Sequence, residues 1–124
     1  MRLQILGQTF AVCKLDEKLK ILDWAQSGDF FSISRTASEL SIVCEENNVP
    51  KEVNSERGWK ILKVEGTLDF NLTGILVSIA EPLAKAKISI FAVSTFDTDY
   101  ILVKATDLSL ASETLTSKGF VVLA

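Results

Sequence analysis

The chain has 124 residues, enough for one domain or for two very small units that share a core. Apolar residues make up 48% of the chain and charged residues 23%, a globular composition that argues against disorder. Thirteen basic and sixteen acidic residues give a net charge of −3, and no cluster of Lys or Arg suggests nucleic-acid binding.

The chain has no histidine, which excludes Ser-His-Asp and Cys-His catalysis and every histidine-ligated metal site. Its two cysteines, Cys13 and Cys44, each lie in an apolar run, so we predict small buried residues rather than reactive thiols. The longest apolar stretch, residues 74–80, is too short to span a bilayer, and residues 1–7 lack the apolar core of a secretory signal. We expect a cytoplasmic protein without metal, cofactor or membrane partner.

The first half of the chain predicts short strands and one helix. Residues 16–27 place Leu19, Leu22 and Ala25 at helical spacing, and Gly28 follows as a stop signal. Residues 45–58 are polar and predict a surface connection at the boundary between two halves. Strand-like patterns occupy four segments: two within residues 2–14 that are separated at Gly7, then residues 30–35 and 40–44.

The second half has a clearer pattern. Residues 71–86 form the strongest predicted helix, which Asp69 or Asn71 can cap and whose last turn Pro82 should bend. A second helix is predicted between a cap at Thr106 and a stop at Gly119. Strands are predicted over residues 59–64, 88–94, 100–103 and 120–124. The order β-α-β-β-α-β is that of a ferredoxin-like fold, with a four-stranded antiparallel sheet and two helices on one face.

An internal repeat supports two related units. Residues 31–43 align without a gap on residues 91–103, at an offset of 60. The identical pairs are Phe31 and Phe91, Ser34 and Ser94, and Val43 and Val103. An acid stands at the matched turn in both copies, Glu39 and Asp99. We predict units over residues 1–57 and 58–124, the first of them degenerate because residues 45–58 contain no convincing second helix.

Two segments of the second unit could hold a small zwitterion. Residues 65–74 lead into the first turn of a helix, whose unpaired N–H groups can bind a carboxylate, and Gly74 allows close approach. The turn at residues 94–99 offers hydroxyls and two acids that can hold an ammonium group. Each segment also has a structural interpretation, a water-bound helix start and an ordinary hairpin turn.

The acidic and aromatic side chains also allow other assignments. Asp97 and Asp99 could act as catalytic or metal-binding carboxylates, but without histidine or a third acid we expect neither hydrolysis nor metal binding. Trp24, Trp59 and Phe96 could line a pocket, although core packing is the usual role of such residues. Phe96, beside the polar turn, is the best pocket candidate of the three.

Several segments of the chain resemble the ACT domains of the CASTOR-like group. They are residues 58–66, 68–70, 74–76, 81–84 and 88–103, together with residues 31–43, which resemble the preceding ACT-like unit of that group. The resemblance implies an α+β fold of tandem ferredoxin-like (βαββαβ) ACT units, the first degenerate, each an antiparallel sheet with helices on one face. It also implies a regulatory, non-enzymatic protein that binds an amino acid and forms a homodimer.

The resemblance also implies a binding site. In the arginine sensors of this group the ligand lies between two ACT units and meets the loop before the first helix and the turn at a strand end. The residues that match by motif are Phe70, Asn71, Leu72, Thr73, Gly74, Ser94, Thr95, Phe96 and Asp99, with Ser34 and Arg35 from the first unit.

Leu72 stands where the arginine sensors carry an acid that receives the guanidinium. A buried guanidinium without a partner is costly, so we expect a neutral or apolar amino acid, or no ligand. The alternative function is a structural or interaction module that dimerises through its apolar strands without a small ligand, or binds a protein partner. An enzyme that uses Asp97 and Asp99 is the weakest hypothesis.

Overall fold

The computed structural model describes residues 1–66 and 74–124. The strands are β1 (Arg2–Ile5), β2 (Phe10–Leu15), β3 (Ser32–Arg35), β4 (Leu40–Glu45), β5 (Ser55–Val64), β6 (Ile90–Ser94), β7 (Asp99–Lys104) and β8 (Val121–Leu123). The helices are α1 (Ile75–Lys85) and α2 (Leu108–Ser117), with 3₁₀ turns at Asp23–Gln26, Glu46–Asn48 and Ala105–Asp107. None of the helices in these ranges has the length and apolar character needed to cross a membrane.

The chain divides into two compact units. The N-terminal unit is Gln8–Trp59, and the C-terminal unit combines Met1–Gly7 with Lys60–Ala124. The sequence places residues 1–7 in the first unit, whereas the structure groups them with the second. The reason is strand pairing, because β1 lies antiparallel to β5, with Leu3 opposite Val64, and parallel to β8, with Leu3 opposite Val122.

The C-terminal unit has the predicted ferredoxin-like order β5-α1-β6-β7-α2-β8. Its strands pair in the order β6-β7-β5-β1-β8. Five strands therefore pair in this unit rather than the four predicted, and the pairing of β1 with β8 is parallel rather than antiparallel. β1 lies between β5 and β8, and this pairing across the length of the chain has no local signal in the sequence.

Both helices pack against the face of this sheet that carries alternate residues of β5 and β7. Ile79 and Leu83 of α1 and Leu115 of α2 are fully buried there. The strand residues of the same core include Leu3, Leu62, Val64, Ile101 and Val103. Each such side chain contributes about 1.5–3 kcal/mol relative to exposure, so this core holds the two helices on one face as predicted.

The boundaries of the two helices differ from the prediction at their N-terminal ends. Asp69 and Asn71, predicted as caps of α1, lie outside the described residues. Thr106 is not the cap of α2, because it lies in the 3₁₀ turn that precedes the helix, and Asp107 takes the cap position without a side-chain hydrogen bond. Pro82 lies inside α1 as predicted.

The prediction of a helix over residues 16–27 is wrong. Only a 3₁₀ turn at Asp23–Gln26 forms, and Leu19 and Leu22 are 44% and 43% exposed. The Arg35 guanidinium donates hydrogen bonds to the backbone carbonyls of Glu17 and Leu19. These are carbonyls that a helix would need for its own hydrogen bonds, so a side chain from β3 holds this segment in another conformation.

The N-terminal unit is an antiparallel arrangement of β3, β4, β2 and the first part of β5. Its core contains Ala11, Cys13, Ala25, Leu40, Ile42, Cys44 and Val49. The predicted surface connection at residues 45–58 is therefore wrong in part, because Val49 is buried and β5 already begins at Ser55. Arg57 donates hydrogen bonds to the carbonyls of Glu46, Val49 and Pro50 and so fixes this segment.

A β-bulge interrupts the pairing of β2 with β5. The register shifts between the pair Phe10 and Trp59 and the pair Val12 and Glu56. Gly58 lies at the bulge with a φ of +81°. In this left-handed backbone conformation, residues that carry a Cβ atom are strained. The Gly58 N–H donates to the Glu46 carboxylate at 2.9 Å, which holds the bulge in place.

Replacing Gly58 with alanine should lower the free energy of unfolding by about 1–2 kcal/mol, because the left-handed φ is strained for alanine. The space around the Cβ position is open, so strain rather than a clash is expected to cause the loss. Chemical denaturation measures it. Gly7→Ala is the control, since its Cβ also meets open space and its φ is not left-handed. Equal losses in the two variants would contradict the account of the bulge.

Candidate functional site

The turn between β6 and β7 is a tight hairpin that backbone and side-chain hydrogen bonds close. Ser94 and Asp99 form its last strand pair. The Thr95 backbone N–H donates to the Thr98 carbonyl at 2.8 Å, and the Thr95 hydroxyl donates to the same carbonyl at 3.1 Å. The Thr98 N–H in turn donates to the Thr95 hydroxyl at 3.3 Å. These three bonds restrict the backbone, so the side chains of the turn have defined positions.

Asp99 is the acid of the turn whose carboxylate accepts a hydrogen bond from the Ser94 side chain. The Ser94 hydroxyl donates to one carboxylate oxygen of Asp99 at 2.5 Å, and the Asp99 side chain is only partly buried. A carboxylate offers about four acceptor positions, so this bond orients the group without using all of them. An oriented, partly desolvated carboxylate is a suitable acceptor for an ammonium group.

Thr98 connects this hairpin to the end of β5. Its side chain is buried, at 5% exposure, and its hydroxyl donates to the carbonyl of Val64 at 2.8 Å. Val64 is the last residue of β5, and the segment that leads to α1 follows it in the chain. The hydrogen bond therefore holds the hairpin against the strand end from which the predicted helix-start loop departs.

The helix-start half of the predicted site is described only at its end. Phe70, Asn71, Leu72 and Thr73 lie outside the described residues. Gly74 is the N-cap of α1 with a φ of +77°, and the space around it is open, so its conformation rather than crowding requires glycine there. The N–H groups of the first turn of α1 lack partners within the helix, as at any helix N-terminus.

The aromatic candidates occupy different environments. Trp59 is buried and Trp24 packs partly buried against the core of the N-terminal unit, so core packing accounts for both. Phe96 lies at the tip of the hairpin and is 77% exposed. Of the three, only Phe96 is therefore positioned next to the predicted binding turn.

Ser34 and Arg35 lie at the end of β3, in the N-terminal unit. Ser34 pairs with Ser41, and Arg35 pairs with Leu40. The Arg35 guanidinium donates hydrogen bonds to the backbone carbonyls of Glu17 and Leu19. These bonds hold the segment that follows β2. Both residues therefore belong to the N-terminal unit, whereas the hairpin with Asp99 belongs to the C-terminal unit.

The two hairpins are equivalent at an offset of 59 residues, not the 60 of the sequence alignment. In the first hairpin the Thr36 N–H donates to the Glu39 carbonyl, and the Glu39 N–H donates to the Thr36 hydroxyl, as Thr95 and Thr98 do in the second. The strands Leu40–Glu45 and Asp99–Lys104 that follow the hairpins also differ by 59. A threonine at the start of each turn is the sequence signal that the gapless alignment missed.

The corrected register changes which residues correspond. Asp99 matches Leu40, which is fully buried, rather than Glu39. Ser94 matches Arg35 rather than Ser34. The interpretation of a matched acid in both copies is therefore wrong, because the first hairpin has a core leucine where the second has its carboxylate.

Cys13 and Cys44 form a buried pair in the N-terminal unit. Cys13 lies opposite Ile42 and Cys44 opposite Ala11, which places both thiols on one face of neighbouring strands. The neighbouring Cys44 thiol lowers the pKa of Cys13, and the Cys13 thiol, together with burial, raises the pKa of Cys44. The prediction that both cysteines are buried is confirmed, and their low reactivity stays a prediction. Across residues 1–66 and 74–124 no group of three or more His, Cys, Asp or Glu is arranged to hold a metal ion.

Replacing Thr98 with valine should destabilise the protein by about 1–3 kcal/mol, because the change keeps the shape but leaves the Val64 carbonyl without its buried donor. Thr98→Ser is the matched variant, since it keeps the hydroxyl and loses only a methyl group. Thermal or chemical unfolding should rank the stabilities wild type, Thr98→Ser, Thr98→Val. A valine variant as stable as the wild type would show that the bond does not hold the hairpin.

Comparisons with known proteins identify the family of this chain. The family model of the ACT domain matches residues 54–117, and a second family model, of an N-terminal domain, matches residues 8–52. The crystal structure of protein Atu0741 from Agobacterium tumefaciens is 39% identical, with a TM-score of 0.94, and the match covers 98% of this chain and 91% of that one. The ferredoxin-like fold and the resemblance to ACT domains are thereby confirmed.

Two human relatives are similar over most of this chain. CASTOR3P is 32% identical over 102 residues, which cover 72% of this chain and 63% of that protein. The cytosolic arginine sensor for mTORC1 subunit 1 is 30% identical over 109 residues, which cover 79% of this chain and 33% of the sensor. The chain thus spans less than two thirds of the length of either relative.

Proposed function

We propose that this chain, which belongs to the ACT domain family, is a regulatory module that binds a free amino acid. The observation that carries the proposal is the oriented Asp99 carboxylate on a hairpin that Thr98 holds against the end of β5. A human relative named as an arginine sensor supports the ligand class. The function is binding rather than catalysis.

The ammonium group of the ligand would bind the turn at β6 and β7. Asp99 supplies the negative charge, and Ser94 and Thr95 supply hydroxyl oxygens at the same strand end. Charge-assisted hydrogen bonds of this kind are about twice as strong as neutral ones. Phe96, at the exposed tip, would cover the ligand on one side.

The carboxylate of the ligand would bind the start of α1. The unpaired N–H groups and the positive end of the helix dipole attract an anion there without a basic side chain. In this proposal the ligand carboxylate and the first atoms of its side chain would contact residues Phe70, Asn71, Leu72, Thr73 and Gly74. Gly74 leaves open space at the N-cap, which would allow close approach.

Leu72 determines the side-chain class in this proposal. An apolar residue at that position offers no acceptor for a guanidinium or an ammonium group, and burying such a charge without a partner is costly. The ligand would therefore be a neutral or apolar amino acid rather than arginine. Ser34 and Arg35 would contribute less, because Arg35 already holds the backbone of Glu17 and Leu19.

The regulatory mechanism would be a population shift. In the proposal the ligand bridges two ACT units, a homodimer completes the arrangement in the cytoplasm, and occupancy favours the state in which both halves of the site meet. A partner protein would read that state. The alternative function is an interaction module that dimerises without a ligand.

Thermal unfolding of the purified chain with each of the twenty amino acids tests the proposal. A ligand at one hundred times its Kd adds about 2.7 kcal/mol, which for this length raises the Tm by about 10 °C. We expect one or a few neutral or apolar amino acids to produce such a shift. A flat panel would contradict amino-acid binding and favour the interaction module.

Asp99→Asn should weaken binding of the amino acid found in the panel by about 10-fold to 100-fold, since it removes a charge-assisted hydrogen bond worth about 1.5–3 kcal/mol. Asp97→Asn is the matched control, because the residue lies in the same turn, is exposed and undergoes the same change of charge. Isothermal titration calorimetry measures both. Equal affinity of Asp99→Asn and the wild type would remove Asp99 from the site.

A further inference from the structure

A recess lies on the C-terminal unit, and its lining does not include the residues of the hairpin turn at 94–99. It has a volume of about 340 Å³ and is formed by the later turns of α1 and the turn between α2 and β8. Its lining residues are Ser78, Glu81, Pro82, Lys85, Lys118 and Phe120. A smaller recess of about 150 Å³ adjoins it and shares Ser78, Lys118 and Phe120. The larger volume lies within the range of small-ligand sites.

The recess contains a backbone acceptor that the helix does not satisfy in the usual way. In an α-helix the carbonyl of Ser78 accepts from the N–H of residue 82, but residue 82 is proline and has no N–H. Ser78 lines both recesses. This carbonyl therefore lacks its usual helical donor, and the proposal below assigns it to accept from an N–H group of the ligand.

The charges of the recess favour an anion. Lys85 and Glu81 pair with each other at 3.1 Å, so their charges compensate. Lys118 forms no ion pair with any carboxylate in the part of the chain that the structure describes. The recess thus has one uncompensated positive charge on a chain of net charge −3.

An apolar surface lies beside these polar groups. Pro82 is buried and Phe120 is half-buried, and both line the larger recess. A ligand that satisfies the three features has a carboxylate for Lys118, an N–H for the Ser78 carbonyl and an apolar body for Pro82 and Phe120. A free amino acid is a zwitterion and matches the single positive charge less well than an anion does.

We propose that this recess binds an N-acylated apolar amino acid, the chemistry that is also present at the C-terminal residue of a peptide. The carboxylate would contact the Lys118 ammonium, and the acylated N–H would donate to the Ser78 carbonyl. The apolar side chain would pack on Pro82 and Phe120. This site is separate from the amino-acid site proposed above and does not depend on it.

Titration of the full chain with N-acetyl-L-phenylalanine, followed by amide chemical shifts, tests the proposal. We expect saturable shifts at Ser78, Lys118 and Phe120. N-acetyl-L-phenylalanine amide, which lacks the carboxylate, and 3-phenylpropanoate, which lacks the N–H, should each bind at least tenfold more weakly. Absence of saturable binding at millimolar concentration, or equal binding of either analogue, would overturn the proposal.

Lys118→Gln should weaken binding of N-acetyl-L-phenylalanine about tenfold or more, because it removes the charge at an exposed position. Lys51→Gln, at an exposed position of the N-terminal unit, is the control and should bind as the wild type does. Equal affinity of Lys118→Gln and the wild type would refute the assignment. The probe has no ammonium group for Asp99, so its failure leaves the amino-acid proposal unaffected.

A short peptide that ends in phenylalanine with a free carboxylate distinguishes the two sources of this chemistry. Binding tighter than that of N-acetyl-L-phenylalanine would identify a peptide C-terminus as the ligand. Binding of the small molecule alone would identify an N-acylated amino acid. Failure of both would overturn the proposal.

Discussion

The buried hydrogen bond from the Thr98 hydroxyl to the Val64 carbonyl is the constraint on which the proposed amino-acid site depends. It joins a hairpin turn to the end of β5, although the two residues are 34 positions apart in the chain. A buried carbonyl without a donor would be costly, so the hairpin stays where the bond is made. Asp99, the next residue, therefore points its carboxylate from a fixed strand end, with Ser94 orienting it.

The same turn occurs twice in the chain, but the strands that follow the two copies begin with different residues. Thr36 and Thr95 make equivalent hydrogen bonds across their turns, and the strands that follow begin with Leu40 and Asp99. Leu40 is part of a hydrophobic core, whereas Asp99 is partly exposed. In the first hairpin, Leu40 therefore packs in the core of its unit. Arg35 binds the backbone of a neighbouring segment. The pattern is consistent with duplication of the hairpin followed by divergence of its sequence.

Apolar periodicity predicted most of the C-terminal unit, because residues of α1 at spacings of three and four bury one face, as Ile79 and Leu83 do. It failed at residues 16–27, where the helical spacing is present but Arg35, distant in sequence, binds the backbone carbonyls of Glu17 and Leu19. The parallel pairing of β1 with β8 also joins distant parts of the chain, and no local sequence pattern predicts it. The polar turn at residues 94–99 was visible in the sequence, but its attachment to Val64 depends on a contact that only the fold creates.

The most direct measurement is a set of amide spectra of the ¹⁵N-labelled full chain with each of the twenty amino acids. The account predicts that a neutral or apolar amino acid shifts the amides of the 94–99 turn and those at the start of α1 together. The amides of the Thr36–Glu39 turn should not move, because that hairpin has Leu40 where the other has Asp99. Spectra that no amino acid changes, or changes confined to other parts of the chain, would contradict the central claim.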